Sequence, residues 1–147
     1  MASVAVCEKG DSLRDVGRLN EAAACYLDAI QSAERRNSKR DLASSKQQLG
    51  TIRRMQGRYR EALDLYDQAM GVFKLLREPI SVAGVWHQIG LLHGQARHFE
   101  EAERAYRESL AVFVSEKDTA HEANTLNNLG RLYQDQGHYD SSSAMWG

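Results

Sequence analysis

Long apolar runs are missing from this sequence, cysteine is scarce and neither sign of charge dominates. The longest stretch without formal charge, residues 79–96, contains a proline, two histidines and two glutamines, which makes it a poor membrane span. The 19 basic and 20 acidic residues leave a net charge of −1. No whole-chain field therefore draws nucleic acid or anionic lipid, and neither is expected as a partner. Cys7 and Cys25 are too few for a secreted disulfide framework and lack the paired spacing of a zinc site. Reduced thiols in a cytoplasmic setting are the expectation, with a Cys7–Cys25 bridge as the alternative. The opening Met1–Lys9 has no basic segment followed by an apolar core, so no secretory leader is expected.

Catalytic signatures are missing as well. There is no Gly-x-Ser-x-Gly elbow, no Gly-x-Gly-x-x-Gly and no phosphate loop. His121-Glu122 opens like a zinc-protease helix, but Thr125 stands where the second histidine belongs. His87 and His93 are six apart on one helix and project differently, unlike an i, i+4 metal pair. No enzyme activity, cofactor or metal is expected.

What is present is a repeat. Gly10, Gly50, Gly90 and Gly130 are 40 residues apart. Seven further on come Gly17, Gly57, Arg97 and Gly137, and nine further on Leu19, Tyr59, Phe99 and Tyr139. Glu21-Ala22, Glu61-Ala62 and Glu101-Ala102 align, as do Tyr26, Tyr66, Tyr106 and Trp146, then Ala29, Ala69 and Ser109. Between these landmarks the apolar residues fall three and four apart, as in the stripe Tyr59, Ala62, Leu63, Tyr66, Ala69, Met70. The spacing predicts first helices at about 3–16, 41–55, 81–96 and 121–136, and second helices at about 19–36, 59–77, 99–116 and from 139. Asp41 and Asp118 stand where a capping side chain helps start a helix, and Pro79 just ahead of one. Gly17, Gly57 and Gly137 fall at the predicted turns. Gly50 and Ala62 lie on a packed face where a small residue permits close helix approach, with Tyr66 filling the space beside them.

These landmarks resemble the tetratricopeptide repeat, W-x2-L-G-x2-Y followed by A-x3-F and A. Trp86-x2-Ile89-Gly90-x2-His93 and Leu126-x2-Leu129-Gly130-x2-Tyr133 carry the first half, and Ala62-x3-Tyr66-x2-Ala69 and Ala102-x3-Tyr106 the second. The 40-residue period, longer than the usual 34, is similar to that of kinesin light chains and cell-polarity scaffolds. The resemblance implies an all-α, right-handed superhelical α-solenoid of antiparallel helix pairs. One array is expected over 1–147, with repeats at about 3–40, 41–80 and 81–120 and an incomplete fourth at 121–147. The short fourth unit reads as part of a longer protein, and self-association through that end is a further expectation. Trp86, Tyr66 and Tyr106 are expected in the core.

In the family the first helix of each hairpin lines a concave groove. The resemblance therefore points to Gln47, Gln48, Thr51, Arg54, His87, Gln88, Asn124, Asn127, Asn128 and Arg131. Amides carry donors and acceptors, so the column Gln48, Gln88 and Asn128 suits the N–H and C=O groups of an extended peptide. The competing reading is a merely solvated surface. A two-carboxylate clamp of the chaperone kind is not expected, because of Gln47, Thr51, Gln88, Asn127 and Arg131 only the arginine suits it. The expectation is a protein-interaction scaffold taking a partner peptide or helix in its groove. The alternative is a regulatory or oligomerisation arm of a larger signalling ATPase or protease.

Overall fold

The computed structural model describes the backbone over residues 18–146 and the side chains over 18–138. Among the described residues the regular elements are all helices: α1 (Leu19–Arg35), α2 (Lys39–Met55), α3 (Tyr59–Leu75), α4 (Pro79–Gln95), α5 (Phe99–Ser115) and α6 (Thr119–Trp146). The predicted helix at 3–16, with Cys7, Glu8, Asp11, Arg14 and the turn at Gly17, lies outside them. α1 to α5 are each 17 residues long and begin 20 residues apart, so the 40-residue sequence unit is one helical hairpin. The class is an all-α helical repeat of the solenoid kind.

Every turn between these helices is the same device. Asn37, Gly57, Arg77, Arg97 and Lys117 adopt positive φ, between 56° and 78°. Each donates its N–H to the carbonyl three residues back, and the next residue donates to the carbonyl five back. Gly57 to Arg54 (3.0 Å) and Arg58 to Arg53 (2.8 Å) are one such pair, and Lys117 to Val114 (3.1 Å) and Asp118 to Phe113 (2.9 Å) another. This left-handed cap satisfies the orphan carbonyls at a helix end. Glycine takes the conformation without strain, yet here it fills one turn of the five, and asparagine, arginine or lysine fill the rest.

The starts of α1 to α6 fall within two residues of prediction, with one correction to a cap. Ser38, not Asp41, caps α2, and its hydroxyl accepts the Asp41 N–H at 3.4 Å. Asp41 lies inside the first turn, where its carboxylate accepts from Arg36 at 3.0 Å. That bond holds its carboxyl below the usual carboxylate range. Asp118 does act as predicted: one oxygen accepts the His121 N–H at 3.2 Å. Pro79 is the first residue of α4, where a missing N–H costs little.

The chain divides into two compact units, Met1–Glu78 and Pro79–Gly147. In the first, α2 packs against both α1 and α3. Ala22, Ala23, Tyr26, Leu49 and Ile52 form its core, with Leu19, Cys25, Ile30 and Leu65 around it. Tyr66 is fully buried, and its ring closes on Gly50: a Cβ there would stand 2.9 Å from the ring. In the second unit α5 packs against α4 and α6, and α4 touches α6. Ala102, Tyr106, Leu129 and Leu132 form a core bordered by Leu91 and Phe99. A Cβ on Gly90 would meet the Tyr106 ring at 2.6 Å. The predicted role of the repeated glycine, close approach against an aromatic, holds at both hairpins. Each aromatic so buried contributes about 1.5–3 kcal/mol.

The expected turn at Gly137 and second helix from 139 are not formed, and α6 runs unbroken for 28 residues. The residues explain this. The fully buried Ala22, Ala62 and Ala102 anchor their helices, whereas the same place in the last repeat is Ser142, within Asp-Ser-Ser-Ser. Folding back requires burial to offset the cost of the turn. Extending a nucleated helix adds one hydrogen bond for each residue fixed.

Candidate functional site

The residues expected to line the groove lie on α2 in the first unit and on α4 and α6 in the second. On α2, Gln47, Gln48 and Arg54 are half-buried. Thr51 needs correcting: it is buried, with its hydroxyl 2.9 Å from the Tyr66 hydroxyl and donating to the Gln47 carbonyl at 3.3 Å. A threonine next to the repeated glycine faces the aromatic seated there. Thr51 therefore belongs to the hairpin core, not to the groove wall.

In the second unit Asn124, Asn127 and Arg131 are exposed on α6, while Gln88 on α4 and Asn128 on α6 are half-buried. His87 joins the two helices. Its Nδ1 lies 3.0 Å from Thr125 Oγ1, and its Nε2 2.8 Å from Asn128 Nδ2. The imidazole also stands edge-on to the Tyr106 ring, with centroids 5.7 Å apart at 72°. Thr125 and Asn128 are three apart on one helical face, so they grip the ring from both nitrogens. Thr125 is fully buried and donates its hydroxyl to the His121 carbonyl at 2.8 Å.

Of the predicted residues, the structure thus brings His87 and Asn128 together. Thr125, which holds the cluster, was absent from the prediction. The sequence signal for it is weak: its column reads Ser45, Val85, Thr125, all buried, and the valine makes the column look like core filler. A hydroxyl opposite a histidine one repeat away was the available clue.

Two neighbouring features position α6. His121 stacks on Phe113, with centroids 5.0 Å apart, and its Nδ1 lies 2.7 Å from Asp118 Oδ2. The His121 backbone N–H, more than its ring, holds the Asp118 carboxyl below the usual range. Across α5 and α6, Glu103 accepts from the Tyr133 hydroxyl at 2.8 Å and from Arg107 at 2.8 Å. Tyr133 first, then Arg107, keep the Glu103 carboxyl low. Trp86 is half-buried, not sealed in the core. With Ile89, His93, Glu101, Arg104, Ala105 and Glu108 it lines a cavity of about 250 Å³. No group of three or more metal-ligating side chains gathers among the described residues, and no helix among them is long and apolar enough to cross a membrane.

Residues 1–74 and 81–145 match a family model described as tetratricopeptide repeat. No curated protein sequence matches the chain significantly. Among solved structures the chain is similar to BtubC (BKLC) of P. vanneervenii, with a TM-score of 0.79 and 21% identity over 97% of this chain and 59% of that one. It is similar to a Rap protein solved in complex with Competence and Sporulation Factor, with a TM-score of 0.82 and 14% identity over 95% and 39%. It is also similar to a Podospora anserina chain described as a kinesin light chain with nearly identical TPR-like repeats, with a TM-score of 0.78 and 15% identity over 96% and 71%. The chain spans 59% and 39% of the first two structures' lengths.

Proposed function

Since the chain belongs to the tetratricopeptide repeat family, whose arrays are protein-interaction scaffolds, we propose that it captures an extended peptide segment of a partner protein along the polar face of α4 and α6. The supporting observation is the amide and imidazole cluster of His87 and Asn128 on two neighbouring first helices, flanked by Gln88 and by the exposed Asn124, Asn127 and Arg131. Such a face reads a peptide backbone through hydrogen bonds and reserves Arg131 for an acidic side chain. On α2, within the first unit, Gln47, Gln48 and Arg54 offer polar side chains of the same kind. The Rap protein, with the same fold, is solved with Competence and Sporulation Factor bound. The activity is binding, not catalysis, and its setting is cytoplasmic.

The test is capture of peptides from a random display library by the immobilised chain, repeated with Asn128→Lys. The variant, with an unchanged melting curve, is expected to lose the peptides that the parent retains. Equal retention would sink the reading. A second reading places the same face in cis, as an arm of a larger signalling ATPase or protease. Peptide capture that disappears when the chain is joined to its flanking sequence is the outcome this reading expects.

A further inference from the structure

A carbonyl oxygen only accepts, and that fact orders the hydrogen bonds around His87. The His121 carbonyl, 2.8 Å away, takes the single proton of the Thr125 hydroxyl. Thr125 Oγ1, with its proton committed, is an acceptor toward His87, so the 3.0 Å contact is donated by Nδ1–H. A neutral imidazole protonated on Nδ1 presents a bare lone pair on Nε2. The atom 2.8 Å from that lone pair therefore donates, which places the Asn128 amide nitrogen on the ring and its oxygen on the far side. Each direction follows from the one before, and the sequence ends on a side chain of the candidate groove.

We infer that His87 is a positioning residue that fixes which end of the Asn128 amide faces a ligand. The relay runs from the His121 carbonyl through Thr125 and His87 and leaves Asn128 Oδ1 directed away from the imidazole, as a preset acceptor for a backbone N–H of a bound peptide. This last step rests on the groove reading above, whereas the relay stands on the structure of α4 and α6 alone. An unheld amide presents donor or acceptor with little preference. A held one discriminates between ligand groups and has less side-chain freedom to lose on binding. Thr125 is suited to the task by its complete burial, since no water competes for the hydroxyl that sets the direction. The relay is particular to the second unit, because residues 1–78 contain no histidine.

The experiment is nitrogen NMR on the full chain, without ligand, at neutral pH. The relay predicts that His87 is neutral and protonated on Nδ1, with a through-hydrogen-bond nitrogen–nitrogen coupling between Asn128 Nδ2 and His87 Nε2. Thr125→Ser, which keeps the hydroxyl, is expected to preserve both signals. Thr125→Val is expected to abolish the preference for the Nδ1–H tautomer and the coupling with it. An Nε2–H tautomer in the parent chain, or no coupling to a bare Nε2, would overturn the inference, and so would an unaltered tautomer in Thr125→Val. The two proposals fail separately. The coupling with unchanged peptide capture by Asn128→Lys removes the groove reading and leaves the relay. Lost capture with an Nε2–H tautomer does the reverse.

Discussion

Gly90 and Gly130 hold the same place in the repeat, yet a methyl group on the first would collide with Tyr106 at 2.6 Å, while one on the second would meet nothing within 4 Å. The difference is whether a second helix has folded back. α5 returns along α4 and seats its tyrosine against the glycine, whereas α6 continues straight past Gly137. A repeat signature in sequence therefore marks a potential seat, and only the returning helix makes it a constraint. The exposed Leu126 and Tyr133 show the same thing: each is more open to solvent than the half-buried residue at its place in α4, Trp86 or His93.

Substitutions can break this comparison. Gly90→Ala is expected to destabilise the fold by about 1–3 kcal/mol, because the methyl must displace a buried ring. Gly50→Ala, at 2.9 Å from Tyr66, should cost less, and urea denaturation of the two variants measures the order. Ser109→Ala comes next, with the opposite sign. Ser109 is fully buried, and its hydroxyl has no hydrogen-bond partner among the described residues, where its counterparts are Ala29 and Ala69. Removing it should stabilise the second unit by roughly 1 kcal/mol, read as a raised denaturation midpoint. Gly130→Ala should be stabilising by up to about 1 kcal/mol through helix propensity alone. A loss as large as that of Gly90→Ala would mean that a returning helix covers this face.

The smallest effect concerns acid. The Glu103 carboxyl is held low by Tyr133 and Arg107, so its folded-state affinity for protons is weaker than in the unfolded chain. Its contribution is present above the usual carboxylate range and lost as pH falls through the depressed folded value. Glu103→Gln should therefore flatten the acid limb of a melting-temperature profile slightly, and less so in high salt, since the network is exposed.

Much of this architecture was legible in the residues. The 40-residue glycine ladder located the described hairpin helices to within two residues and paired Gly50 with Tyr66. The turns were half legible. Glycine announces Gly57, but a capped helix end imposes positive φ on Arg97 or Lys117 just as well, and those residues look like ordinary surface. The end of α6 was misread because Gly137 carries the turn signal while the buried alanine that anchors a returning helix is replaced by Ser142. In the candidate site the 40-residue period puts Asn127 at the place His87 holds one repeat earlier. The actual partners, Thr125 and Asn128, flank that column on the next first helix, 38 and 41 residues away. Thr51 was assigned to the groove by its place one after the repeated glycine, but threonine suits core and surface equally and its deciding contact lies 15 residues on.

Site-specific photo-crosslinking to a library-selected peptide tests the central claim most directly. A crosslinking residue at the exposed position 127 on α6 is compared with one at the exposed position 111 on α5. Capture along the α4–α6 face predicts a crosslink from 127 and none from 111. A crosslink from 111 alone, or equally from both, would contradict it.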